Sequence, residues 1–214
     1  MQRRVLFPTL VLLLLVAGPL LAQVGTNQGL LNPNLASEED LTALPQLGAG
    51  GAATVIAGRP WLSMAALHEA VGADLSEEQQ RELYARLWLP INLNDVTEAE
   101  ILLIPGVGTR MAREFEEYRP YAGLAVFRRE MGKYVDDGEV ARLEQFVFVP
   151  LDLNSASSED FATIPGVGPR MIHEFEEYRP YAGIEQFRRE SGKYVDEDEV
   201  ARFERYMVIG TSPE

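Results

Sequence analysis

Apolar side chains recur at three- and four-residue spacing in several short stretches of the chain. Residues 109–119 contain neither proline nor glycine, and Met111, Ala112, Phe115 and Tyr118 follow this spacing within them. Such spacing places the apolar side chains on one face of a helix. The pattern therefore predicts an amphipathic helix over this stretch, with Phe115 and Tyr118 facing the core.

Three more short helices are predicted around this one. One lies just before the sequence Ile-Pro-Gly-Val-Gly, a second spans residues 124–130 with Phe127 inward, and a third spans residues 137–148. The alternating apolar residues 147–151 are interpreted as an extended connector. The predicted fold class is all-α, with almost no strand.

This four-helix pattern occurs three times along the chain. IPGVGTRMAREFEEYRPY, residues 104–121, returns as IPGVGPRMIHEFEEYRPY, residues 164–181. A fixed step of about 60 residues indicates a repeat architecture. We predict a degenerate repeat one at 31–90, repeat two at 91–150 and repeat three at 151–209, with a linker at 23–30 and a tail at 210–214.

Residues that cap helices mark the same frame. A hydroxyl or aspartate followed three residues later by an acid or glutamine is the signature of a helix start, because each side chain bonds the backbone N–H of the other. Six such pairs predict the first and last helix of each repeat. They begin at Ser37, Ser76, Thr97, Asp136, Ser157 and Asp196.

The first 22 residues resemble a secretory signal peptide. Arg3 and Arg4 precede the apolar stretch 5–22, which ends in Leu-Leu-Ala22. Such a segment predicts export and cleavage after Ala22, giving a periplasmic or secreted protein without a membrane span. The alternative, an uncleaved membrane anchor, is weakened by prolines within the segment. The chain has no cysteine, so its stability must come from packing.

Charge and composition narrow the function classes. The net charge is −14, with 33 acidic against 19 basic residues, which opposes non-specific binding to nucleic acid. No nucleophile has a neighbouring base, and no histidines or acids have metal-ligand spacing. We therefore expect no enzyme activity, no metal and no cofactor.

The Gly-Val-Gly turn offers the clearest chemistry. Gly106 suits the positive φ angle at which a helix ends, and Gly108 permits close approach of another backbone. The helix that follows begins with free N–H groups at the positive end of its dipole, which favours a bound anion, and Arg110 adds a charge. The simpler interpretation is a compact corner between two helices.

More than the turn matches a known pattern. Asn94, the helix cap, Ile-Pro-Gly-Val-Gly and a helix ending in Glu-Tyr-Arg-Pro together resemble the helix-hairpin-helix family, most closely the exported DNA-uptake receptors of the ComEA type. The resemblance covers nearly all of the chain after the signal peptide, as three tandem units. It implies backbone binding to a DNA phosphate from the minor-groove side, without sequence reading. The candidate DNA-binding residues are Gly106, Val107, Gly108, Thr109, Arg110, Arg113, Lys133, Gly166, Val167, Gly168, Arg170 and Lys193.

Two departures from the family pattern qualify the resemblance. The second hairpin of repeats two and three has one glycine instead of two, and Lys133 and Lys193 beside it are the candidate phosphate ligands there. Repeat one has lost the first turn glycine and its nearby bases, so we expect it to bind no nucleic acid. Its Trp61 and Trp88 are expected to fill the core.

Acidic neighbours set the expected strength of binding. Glu114 and Glu174 lie four residues after Arg110 and Arg170 and can pair with them, so a bound phosphate would have to compete with these acids. Arg119 and Arg179 are expected to bond the last carbonyls of their helices. The partner is then double-stranded DNA, bound weakly and in a salt-sensitive way. The alternative is an extracytoplasmic protein-interaction or scaffold module that has lost DNA binding.

Overall fold

A computed structural model describes residues 29–210 of the 214-residue chain. The predicted signal peptide, the linker up to residue 28 and the last four residues of the predicted tail lie outside the described residues. Within residues 29–210, no helix has both the length and the apolar character needed to cross a bilayer.

The described part of the chain is mostly helical, which confirms the predicted fold class at that level. Twelve helices lie between residues 29 and 210, and the order of four recurs at each step of about 60 residues. The first four are α1 (Glu38–Thr42), α2 (Gly48–Ala57), α3 (Met64–Val71) and α4 (Glu77–Tyr84). The next four are α5 (Glu98–Ile101), α6 (Thr109–Glu117), α7 (Leu124–Met131) and α8 (Asp137–Glu144). The last four are α9 (Ser158–Phe161), α10 (Pro169–Glu177), α11 (Ile184–Ser191) and α12 (Glu197–Glu204).

Short parallel strands correct the prediction of an all-α fold. The strands are β1 (Ile91–Asn92), β2 (Val147–Phe148), β3 (Leu151–Asp152) and β4 (Met207–Val208), and β1 pairs with β2 and β3 with β4. A bridge between Leu31 and Leu87 stands at the same place in repeat one. The predicted helix over 137–148 is therefore wrong beyond Glu144, because the buried backbone after α8 bonds to the start of its own repeat.

The predicted helix starts are confirmed. Complete capping boxes stand at the N-termini of α4, α5 and α9, where Ser76, Thr97 and Ser157 accept from the backbone three residues on. Ser37, Asp136 and Asp196 also cap their helices with their side chains. These bonds satisfy donors that would otherwise have no partner, so local sequence alone fixes where these helices begin.

An asparagine and an arginine close each repeat on itself. The side-chain amide of Asn94 donates to the carbonyl of Tyr121 at 2.9 Å and accepts from its N–H at 2.7 Å. Arg119, before a cis proline, donates to the carbonyls of Leu93 and Val96, both at 2.6 Å. The same bonds recur in the other two repeats. The prediction that Arg119 and Arg179 bond the ends of their own helices is therefore wrong.

Aromatic side chains fill the core and join the repeats. Trp61 and Trp88 are both buried, as predicted. The indole N–H of Trp88 donates to the carbonyl of Phe146 at 2.8 Å, which ties repeat one to repeat two. Phe148 at the end of repeat two packs on Tyr206 of repeat three, with ring centroids 4.6 Å apart.

Arg205 lies where all three repeats meet. Its Nε donates to the carbonyl of Leu62 at 2.8 Å, and its Nη2 donates to the carbonyl of Pro90. The guanidinium also lies over the rings of Phe148 and Tyr206, 5.0 and 5.2 Å from their centroids. Repeat three is thereby attached to repeat one as well as to its sequence neighbour.

Candidate functional site

The Gly-Val-Gly turn adopts the geometry predicted for it. Gly106 has a φ of 82° and Gly166 a φ of 76°, in the left-handed region that glycine enters without steric cost. Ile104 is buried beneath the turn, and Val107 is half-buried and donates its N–H to the carbonyl of Ile104 at 3.0 Å. The turn therefore delivers the chain to the start of α6 with its apolar residues inward and both glycines at the surface.

Helix α6 begins without a side-chain cap. Gly108 occupies the N-cap position and offers no side chain, whereas seven of the helices in residues 29–210 are capped by serine, threonine or aspartate. Backbone bonding in this helix starts at Ala112, whose N–H donates to the carbonyl of Gly108 at 3.0 Å. The N–H groups of Thr109 and Arg110 precede that bond and lie on exposed residues.

Helix α10 repeats this arrangement in repeat three. Gly168 is its N-cap without a side-chain bond, and Pro169, which has no N–H, stands at its first position. The first backbone bond runs from Ile172 to Gly168 at 3.2 Å, so the N–H of Arg170 also lies before it. Two helix starts thus present donors that nothing else in the described chain uses.

The arginines near these starts are exposed. Arg110, Arg113 and Arg170 form no ion pair with any residue between 29 and 210. Arg170 lies over the ring of Tyr194, 5.4 Å from its centroid. These three predicted site residues are free to meet an anion.

Arg110 and Glu114, whose spacing permits an ion pair, do not form one. Glu114 is half-buried and turns toward the second hairpin, where Tyr134 meets Tyr118 with 2.8 Å between their hydroxyl oxygens. The neighbouring hydroxyl of Tyr118 and then the carboxylate of Glu114 raise the pKa of Tyr134 well above its usual value, because both favour its protonated form. Glu174 is likewise buried, so neither acid neutralises the arginine one turn before it. The four-residue spacing permits an arginine–glutamate pair in both repeats. The packing of the second hairpin instead places the hydroxyl of Tyr134 beside the Glu114 carboxylate.

The two lysines are held inside ion pairs. Lys133 bonds the carboxylate of Glu130, which is only 6% exposed, and its ammonium lies 4.8 Å from the ring centroid of Tyr118. Lys193 repeats this with Glu190 and Tyr178. Both lysines, predicted as phosphate ligands, therefore serve first to neutralise a buried carboxylate.

These ion pairs predict a loss of stability in acid. Bonds from Lys133 and then Arg129 hold the pKa of Glu130 below its ordinary 4.5, and Lys193 does the same for Glu190. A pKa lowered by folding means that the stabilisation is complete above pH 4.5 and is lost as pH falls through the lowered values. We expect the free energy of unfolding, measured in urea, to fall below pH 4.5.

The paired variant Glu130→Gln/Glu190→Gln should flatten that acid limb of the stability profile. The control is Glu78→Gln/Glu159→Gln, which removes two exposed carboxylates. If the control flattens the limb equally, the buried ion pairs are not its cause.

Two arginines that the sequence motif did not include lie at the turns. The Nη2 atom of Arg142 in α8 lies 3.4 Å from the position that a Cβ atom on Gly106 would occupy. In α12, the Nη2 atom of Arg202 lies 3.0 Å from the corresponding Cβ position on Gly166. Repeat one has Glu82 at this position, hydrogen-bonded by Gln46 at 2.7 Å. Glu82, Arg142 and Arg202 are spaced by 60 residues, so aligning the repeats in the sequence shows an acid in repeat one and arginine in repeats two and three.

The surroundings of the two turns differ. A cleft of about 470 Å³ separates the turn of repeat two from α4 of repeat one. In repeat three, two carbons of the Leu35 side chain lie 3.0 and 3.2 Å from the position that a Cβ atom on Gly166 would occupy. The side chain of Arg202 is buried there, with 4% exposed, and it bonds the carbonyl of Pro165. The turn of repeat two therefore has the more open surroundings.

No family model, curated protein or solved structure matches this chain. Among residues 29–210, no group of three or more histidines or acids is placed to hold a metal ion. What the two turns offer is a pair of exposed helix starts with arginine beside each.

Proposed function

We propose that the chain is an exported, non-sequence-specific DNA-binding protein of the helix-hairpin-helix type. It binds duplex phosphates at two turns, Gly106–Arg110 and Gly166–Arg170. The observation that carries this proposal is the pair of uncapped helices, α6 and α10, each preceded by a positive-φ glycine and followed by an exposed arginine.

The chemistry of these turns suits a phosphate oxygen. Backbone N–H groups at a helix start donate to an anion, and the helix dipole favours the negative charge. Contacts of this kind position a protein on the duplex and carry no sequence information. Arg142 stands beside Gly106 in repeat two, but Glu139 holds its guanidinium through two bonds of 2.7 Å, so Arg110, which pairs with no described residue, is the free positive charge at this turn.

Repeat one keeps an uncapped helix, α2, and a positive-φ glycine, Gly48, but it lacks the arginine, in keeping with the expectation that its own hairpin binds no DNA. Gln46 replaces the first turn glycine, Glu82 replaces the arginine, and no side chain of α2 is charged. Repeat one can contribute to binding only through other surfaces.

Binding to duplex DNA should be weak and steeply dependent on salt. With about two to four phosphates contacted, the logarithm of the binding constant should fall with a slope of about −2 to −4 against the logarithm of salt concentration. Fluorescence anisotropy of a labelled duplex, titrated with the mature chain from low to physiological salt, measures this slope. Absence of binding at low salt would reject the proposal.

The second candidate function is an extracytoplasmic protein-interaction module. It is favoured because several arginines bond groups of this same chain. Arg119 and Arg179 bond backbone carbonyls, while Arg128 and Arg188 form bidentate pairs with Glu144 and Glu204. Exposed acids in the first turns of helices, such as Glu77 and Glu78 of α4, add negative charge to the exterior. Failure to bind DNA at low salt would favour this candidate.

A further inference from the structure

The turn of repeat two has a second wall that belongs to repeat one. A cleft of about 470 Å³ is lined on one side by residues 102–104 and 106–108, which lead into the exposed start of α6. Its other side is formed by Glu77, Gln80, Arg81 and Tyr84 of α4. A ligand held at the Gly106 turn therefore lies next to side chains from two repeats.

Arg81 is the only base that lines this cleft. Its side chain is exposed and has neither a hydrogen bond nor an ion pair with any described residue. Glu77, one turn earlier on the same helix, also lines the cleft, but it lies beyond ion-pair distance of Arg81. The positive charge of Arg81 is therefore available to a ligand, with Glu77 opposing it.

The position of Arg81 is specific to repeat one. The corresponding residues in repeats two and three are Ala141 and Ala201, so those repeats carry no base here. Repeat one thus has an acid at the edge of its own degenerate turn, Glu82, and a free arginine in the cleft that faces its neighbour's turn. The two charges lie next to each other in sequence, yet their environments differ.

We propose that Arg81 is a phosphate-binding residue of the repeat-two hairpin. This inference rests on the proposed function. The Gly106 turn holds one phosphate of the duplex, and Arg81 binds an adjacent phosphate of the same backbone from across the cleft. Repeat one, whose own turn is unsuited to DNA, thereby completes the binding site of repeat two.

The proposal also predicts which of the two hairpins binds phosphate more strongly. The repeat-two turn has Arg110 and Arg81 around it, neither of them paired with a described residue, whereas the repeat-three turn has Leu35 of repeat one against Gly166. Arg142 and Arg202 are each bonded to a glutamate one turn earlier, Glu139 and Glu199, and Arg202 also bonds the carbonyl of Pro165. The repeat-two hairpin is therefore the stronger phosphate site.

The test compares Arg81→Gln with Arg86→Gln in the mature chain. Both arginines are exposed, both changes alter the charge equally, and Arg86 lies outside the cleft. Arg81→Gln should weaken binding of a labelled duplex about fivefold at low salt and reduce the magnitude of the salt slope by about one. Arg86→Gln should change the affinity less than twofold and leave the slope as it is.

Glu77→Gln provides the reciprocal test. Removing this carboxylate from the cleft wall should strengthen duplex binding about two- to threefold, since it opposes a phosphate beside Arg81. Circular dichroism and thermal unfolding of each variant check that the fold is retained. Glu77 and Arg81 lie on the exposed part of α4, so all three variants should fold.

The outcomes separate this inference from the proposed function. If the parent chain binds duplex DNA but Arg81→Gln and Arg86→Gln weaken it equally, Arg81 acts only through net charge and the inference is overturned, while the function stands. If the parent chain binds no duplex at low salt, both are overturned. A larger loss in Arg81→Gln with a smaller salt slope supports the inference.

Discussion

Replacing Arg110 and Arg170 together with glutamine should lower the affinity for duplex DNA about tenfold or more at low salt. Each arginine stands in the first turn of an uncapped helix, is exposed, and has no ion-pair partner among residues 29–210. Because two phosphate contacts would be lost, the magnitude of the salt slope should fall by about two. Anisotropy titrations at several salt concentrations measure both quantities.

A charge-matched control distinguishes a local contact from a general electrostatic effect. Ala53→Glu/Ala57→Glu changes the net charge by the same amount at exposed positions of α2, a helix that contains no arginine. This control should lower affinity only slightly and keep the salt slope. Equal losses in the two double variants would show that the hairpins are not where DNA binds.

The single variants should be unequal. Arg110→Gln should cost more affinity than Arg170→Gln, because Leu35 contacts the turn of repeat three, whereas an open cleft lies beside the turn of repeat two. The sequence treats the two hairpins as near copies. Apart from Pro169, which removes one N–H from the start of α10, it is their surroundings that distinguish them.

Replacing Arg205 with methionine should lower the free energy of unfolding by about 2–3 kcal/mol. The variant leaves the carbonyls of Leu62 and Pro90 without this donor and removes the cation from the rings of Phe148 and Tyr206. Burial lowers the pKa of Arg205, which shows that placing this charge in the junction is costly. The two carbonyls and the two rings offset part of that cost, while Nη1 of Arg205 is buried without a hydrogen-bond partner among the described residues.

Urea denaturation of the parent and variant chains measures this change. For a protein of this size, each kcal/mol corresponds to about 2–4 °C in the melting temperature. Arg86→Met is the matched control, since Arg86 is exposed and its side chain bonds no other described residue. If the control is destabilised as much as Arg205→Met, the junction contributes nothing specific.

Sequence alone determined the features that depend on near neighbours. The capping pairs placed the starts of the helices because both partners lie within one turn. Gly106 and Gly166 were identified as turn residues because only local backbone conformation is involved. The step of about 60 residues was likewise visible without any structure.

Tertiary structure decided the features whose partners lie far along the chain. Strand β2 exists because Val147 meets Ile91 at the opposite end of its repeat, which no local pattern reveals. Glu114 faces Tyr134 instead of Arg110, and Lys133 is held by the buried Glu130, because packing selects one partner among several within reach. Arg81 enters the candidate site for the same reason: a long side chain acquires its role only when another repeat folds against it.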